Sequence, residues 1–91
     1  MKKFGRRGGK MIYFSTRKDK KLMVKVGGEW VHFGQEGYED YLEHGDTRRR
    51  AAYLARSAKI RDGSGRLTRN LPSSANYWAR RVLWKSGEGY R

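Results

Sequence analysis

Two histidines, His32 and His44, and two carboxylates, Asp40 and Asp46, are the side chains best suited to hold a divalent metal. A metal beside the run Arg48-Arg49-Arg50 would suit phosphodiester chemistry. Their spacing argues against it. His44 and Asp46 straddle Gly45, His32 stands alone in a strand-like segment, and no nuclease arrangement of His and Asp is present. Three of the four have a simpler local role: His32 as a sheet residue, His44 as a cation at a helix end, Asp46 as a helix cap. There is no cysteine, hence no thiolate nucleophile, thiolate metal site or disulfide. No serine lies in a nucleophile elbow, and Gly63-Ser64-Gly65 is too short for a phosphate loop and reads as a turn. The expectation is a protein without catalytic residues, metal or cofactor.

The chemistry that remains is charge. The chain has 22 Lys and Arg against 9 Asp and Glu, a net charge of +13, and a pI near 10.5. Solubility of a small domain needs a net charge of only about 2–8. A larger excess repels itself and destabilises the fold unless a polyanion neutralises it. Nucleic acid is the expected partner, DNA ahead of RNA, contacted at its phosphates without regard to sequence. The residues nominated for those contacts are Lys2, Lys3, Arg6, Arg7, Lys10, Arg48, Arg49, Arg50, Arg56, Arg61, Arg66, Arg69, Arg80 and Arg81. The alternative partner is an acidic protein surface; a membrane is not expected. Trp30, Trp78 and Trp84 are candidate platforms for base stacking. The helical spacing assigns Trp78 to the core and leaves Trp30 and Trp84 open.

The acids are not scattered. Five of the nine (Glu36, Glu39, Asp40, Glu43 and Asp46) fall in residues 36–46, just before the arginine run. Asp46 is placed to cap the following helix, and the others to pair with arginines across the Gly45 turn. Gathering them at one corner leaves residues 1–21 and 48–69 as separable positive surfaces.

These side chains need a scaffold, and 91 residues supply one small domain. Residues 1–10 read as a flexible basic arm, 11–86 as the domain and 87–91 as a frayed tail. The clearest element is a hairpin in which LMVKV and EWVHF flank Gly27-Gly28, a two-residue loop suited to positive φ. Folding there sets Val26 opposite Glu29, Val24 opposite Val31 and Leu22 opposite Phe33. One face is then apolar, and the other carries Met23, Lys25, Trp30 and His32 in half-exposed positions. Residues 12–14 are expected to add a third strand. A short helix over 38–43 stops at Gly45, a basic helix spans 46–59 with an Ala51, Leu54, Ala55, Ala58 core stripe, and a loop covers 60–71. Pro72 and Ser73-Ser74 introduce a last helix over 75–85, with Ala75, Trp78, Ala79, Val82 and Leu83 inward. The expected fold is α+β: a small antiparallel hairpin or three-stranded sheet packed against two or three short helices.

VGGEWVHFGQEGYEDYLEHGDTRRRAAYLAR, a basic loop and LPSSANYWARRVLW together resemble a family of small basic proteins of large double-stranded DNA viruses and some phages. In that family a strand ends in HFG, a tyrosine-bearing segment leads to His-x-Asp, and a basic helix with YLAR precedes a Pro-then-Trp helix ending in LLW. The likeness spans residues 24–84. It departs at Ser57, where a histidine is usual, and at Val82, where leucine is common; losing the histidine speaks against a shared catalytic site there. The resemblance implies a viral setting, a virion-associated protein or one in the infected host's cytoplasm or nucleus. It adds capsid proteins as partners, and a minor capsid or cement role as the alternative to nucleic-acid binding.

Overall fold

The computed structural model describes residues 1–84, with Glu43 and His44 described by backbone only. Its sheet is an antiparallel meander in the order β1-β2-β3-β4, formed by β1 (Lys3–Arg7), β2 (Lys10–Phe14), β3 (Lys20–Val26) and β4 (Glu29–Gln35). The β3–β4 register is the one read from the sequence: Val26 opposite Glu29, Val24 opposite Val31 and Leu22 opposite Phe33. Gly27 and Gly28 both take positive φ, 56° and 83°. That conformation matches the twist of the strands, and glycine adopts it at both residues without the steric cost of a Cβ.

The same device works a second time, and it overturns the flexible arm. Gly8 and Gly9, at φ 58° and 78°, turn β1 back onto β2. Phe4 is thereby buried in the core, edge-on to Phe14 at 5.7 Å. A bulge between Lys3 and Gly5 breaks the alternation, which is why KFGRR does not read as a strand. The expected third strand is present as β2, and β1 makes a fourth.

One face of the sheet holds Phe4, Ile12, Leu22, Val24 and Phe33 against Trp78, Ala79, Val82 and Leu83 of the last helical segment. That segment opens as α3 (Ala75–Trp78), capped by the Ser74 hydroxyl, which accepts from the Asn76 N–H. It continues as a π-helical turn, Ala79–Leu83, closed by the Trp84 N–H on the Ala79 carbonyl. Of the expected inward stripe, Ala75 alone is exposed. Gly34, the glycine of HFG, lies beneath this turn. A Cβ there would meet Leu83 Cδ1 at 2.5 Å and Lys21 Cβ at 3.2 Å, and the backbone holds φ 78°. Close approach and left-handed backbone both demand glycine.

Between sheet and last helix run α1 (Tyr41–His44), ended by Gly45 in left-handed conformation, and α2 (Thr47–Ser57). Asp46 caps α2 as expected: its carboxylate accepts from the Arg48 and Arg49 N–H groups at 2.9 and 3.2 Å. The inward face of α2 differs from the expected stripe. Ala51 and Ala55 are exposed, whereas Arg50, Tyr53, Leu54 and Ser57 turn inward. The reason is that α2 docks on the last helix through polar groups and a stacked ring pair, not through small residues on the sheet. Residues 60–71 are not wholly irregular: Arg61 bridges to Leu67, and Thr68–Asn70 forms a 3₁₀ turn. Lys85 and the tail at 87–91 lie outside the described residues.

Candidate nucleic-acid interface

Because side chains alternate along a strand, every residue opposite the core positions shares the outer face of the sheet. The register places Lys3 and Arg6 of β1, Met11 and Tyr13 of β2, Met23 and Lys25 of β3, and Trp30 and His32 of β4 on that face. Tyr13 and Trp30 meet edge to face at 5.7 Å, and the Lys25 ammonium stands over the Trp30 ring at 5.7 Å. Lys10 reaches the Lys25 carbonyl from β2 at 3.2 Å. Met23, expected half exposed, is buried: it sits between Tyr13 and His32, with the Thr16 hydroxyl 3.9 Å from its sulfur. His32 Nδ1 lies 2.7 Å from the Ser15 hydroxyl. Its pKa is lowered, first by desolvation and then by the nearby Arg17, so the neutral ring is favoured.

The helical side carries the second cluster. Arg48, Arg49 and Arg56 are exposed on α2, and their guanidinium groups form no ion pair with a carboxylate among the described residues. Arg50 turns inward: its Nε donates to the Trp84 carbonyl at 2.6 Å and the group stands over Tyr41 at 5.5 Å. Beside it Tyr53 and Trp84 stack at 4.1 Å with 9° between planes. Burial raises the Tyr53 pKa, against the fields of Arg80 and Arg56. Arg80 also turns inward, donating to the Leu54 carbonyl and the Ser57 hydroxyl, both at 2.6 Å. A cation on the last carbonyls of α2 opposes the helix dipole favourably. Burial, followed by the field of Arg69, lowers the Arg80 pKa. Asn76 completes this junction, donating to the Ser57 carbonyl and the Thr68 hydroxyl.

The other nominated cations are distributed between these surfaces. Lys2 lies over the Phe14 ring at 5.5 Å, and Arg7 over Phe4 at 5.0 Å. Arg61 bonds the Gly65 carbonyl, and Arg66 pairs with Asp62 at 3.0 Å. Backbone N–H groups of Arg66 and Ser64 and the Arg66 charge hold the Asp62 carboxyl below its ordinary pKa. Arg69 is half-buried, and Arg81 stacks on Tyr77 at 3.7 Å while donating to the Arg69 carbonyl. Lys25 and Tyr13, which are not among the residues nominated from sequence, join the site. The register carried the signal, since it sets Lys25 directly opposite Trp30.

The acidic block is used differently from the expectation. Asp40 is buried, and its carboxylate pairs at 2.8 Å with Lys21 of β3, which also donates to the Tyr38 carbonyl. The pair clamps the start of α1 to the sheet and forms part of the wall of a cleft of about 640 Å³, whose other wall holds Arg49 and Arg56. Trp84 is stacked within this wall, so Trp30 is the more open of the two candidate platforms. Among the described residues no three His, Asp or Glu side chains converge: His32 meets Ser15, Asp40 meets Lys21 and Asp46 caps α2. No described helix is long and apolar enough to cross a membrane.

Fold and surface together define a small, strongly basic α+β domain, an antiparallel meander covered on one face by short helices. The profile of a family described as a family of unknown function (DUF5754) matches residues 10–57, more than half of the 91, and the chain belongs to that family. The match runs from β2 through α2. No curated protein and no solved structure matches the chain.

Proposed function

We propose that the protein binds nucleic acid, duplex DNA in the first instance, without sequence preference and through phosphate contacts. One observation carries this reading. Arg48, Arg49 and Arg56 stand exposed on a helix whose N-terminus is fixed by Asp46, with no described carboxylate neutralising them. A helix presenting guanidinium groups outside any described ion pair is suited to phosphate oxygens, which accept their paired N–H groups. The inward Arg50 and Arg80 act in this reading as supports for that helix. The order of motifs from HFG to the final Leu-Trp adds a viral setting, in which the protein would accompany the genome within the virion.

Salt dependence tests the proposal. Duplex affinity measured by fluorescence anisotropy should fall on a log–log plot by about 0.9 per phosphate neutralised. Replacing Arg48, Arg49 and Arg56 together by Gln should flatten that slope by roughly 1 for each phosphate left without its arginine, and scrambling the DNA sequence should change nothing. A curve flat between low and physiological salt would exclude the mechanism. Polyglutamate in place of DNA separates the capsid alternative, because an acidic-protein binder would prefer the polypeptide.

A further inference from the structure

The outer face of the sheet has a composition that phosphate binding alone does not require. A surface that only collects phosphates needs cations. This one interleaves them with Tyr13 and Trp30, and the indole remains 36% exposed. The helices pack on the opposite face; of the residues on this one only Met23 is buried, among Tyr13, His32 and Thr16, and Trp30 stays open. Two cations stand opposite the rings, Lys3 across from Tyr13 and Lys25 across from Trp30, and a third, Arg6, shares the face across from Met11. None of the three is in a described ion pair.

We infer that this face binds single-stranded nucleic acid, a base stacking against Trp30 while Lys3, Arg6 and Lys25 take the backbone phosphates. The inference rests on the reading that the ligand is nucleic acid, and adds the form of the ligand and the face that receives it. In a duplex the bases are stacked on one another and offer no free ring face; a single strand does, and stacking on an aromatic side chain tolerates any base. The perpendicular Tyr13 ring braces the indole from one side. The Lys25 ammonium over the indole marks where positive charge lies in the unbound state, and its flexible stem lets it move to a phosphate when a base takes its place.

The test compares a labelled oligothymidylate with a mixed-sequence duplex of equal phosphate number, on the full chain and on Trp30→Ala and Trp30→Phe. Trp30→Ala should weaken oligothymidylate binding by about 5- to 150-fold, the equivalent of one missing stack. Duplex affinity should be unchanged, and Trp30→Phe should retain most of the single-strand affinity. Oligothymidylate should also quench the tryptophan emission of the wild type more than that of Trp30→Phe. This readout stands even if the alanine variant folds poorly. Equal quenching in the two proteins, or equal weakening of both ligands in Trp30→Ala, overturns the inference, while the parent reading stands as long as the wild type binds duplex. Binding to phosphatidylserine vesicles with none to oligothymidylate overturns it in favour of a membrane surface. Failure to bind either nucleic acid removes the parent reading, and this one with it.

Discussion

Asp40→Ala is the most informative single change in the scaffold. It removes the carboxylate that lies 2.8 Å from the Lys21 ammonium, in a pair whose side chains are only 11% (Lys21) and 4% (Asp40) exposed. At an effective dielectric near 20 the attraction across that distance is about 6 kcal/mol before either desolvation cost is subtracted. Breaking one side of a buried pair typically costs about 3–5 kcal/mol, because the remaining charge stays out of water. A domain of this length has a total stability of roughly 5–14 kcal/mol at about 0.05–0.15 kcal/mol per residue, so the loss would be a large share of it. Replacing both partners, Lys21→Met with Asp40→Leu, removes both charges and should recover much of the loss. Urea unfolding of the wild type, Lys21→Met, Asp40→Leu and the double variant closes a mutant cycle, with a coupling energy of about 1–3 kcal/mol expected. Additivity within about 0.5 kcal/mol, or an Asp40→Ala loss below about 1 kcal/mol, would refute the clamp and reduce the contact to a surface pair.

Other perturbations test the remaining supports. Phe4→Ala should cost about 3–5 kcal/mol in urea denaturation, as for other buried Phe truncations; no loss would return residues 1–10 to a flexible arm. Val24→Asp should unfold the domain by placing an unpaired charge in the core, whereas Lys25→Asp should keep the native circular dichroism; equal damage from both would mean that the faces are assigned wrongly. Gly34→Ala should lower stability by about 1–3 kcal/mol, from positive φ and the clash with Leu83 together, and an unchanged thermal midpoint would contradict that packing. Asp46→Ala should lose about 0.5–2 kcal/mol, the usual effect of a removed cap, as measured by thermal unfolding.

The β3–β4 hairpin was legible to the residue because its turn, its alternation and its apolar face all point to one register. The β1–β2 hairpin uses the same glycine pair, but one phenylalanine and a bulge leave no alternation to read. On α2 the hydrophobic periodicity pointed to the alanines. The helix docks instead by Arg50 to a carbonyl, Tyr53 to a ring and Ser57 to a guanidinium, contacts that an apolar scale does not register. Helix caps and stops were readable, since Asp46, Ser74 and Gly45 act on neighbours within three or four residues. The Lys21–Asp40 pair was not, because nothing local distinguishes Lys21 from Lys20 or Asp40 from Glu39. For the same reason the sequence supplied the charge of the candidate surfaces but could not separate exposed arginines from those that brace the fold.

The bulge and the charges of β1 bear on how copies of this chain behave toward one another. β1 ends the sheet, and an outermost strand offers unsatisfied N–H and C=O groups on which another chain's strand can pair. Here Lys3, Arg6 and Arg7 crowd a five-residue strand already bent by the Lys3/Gly5 irregularity. Two such borders meeting side by side would bring like charges together along a poorly matched ladder. This is how natural sheets resist growing into ribbons and fibrils. The resistance is electrostatic in part, so it weakens as the screening length contracts from about 10 Å at 0.1 M salt to about 3 Å at 1 M. Concentrated stocks of the protein should therefore stay dispersed best at low ionic strength.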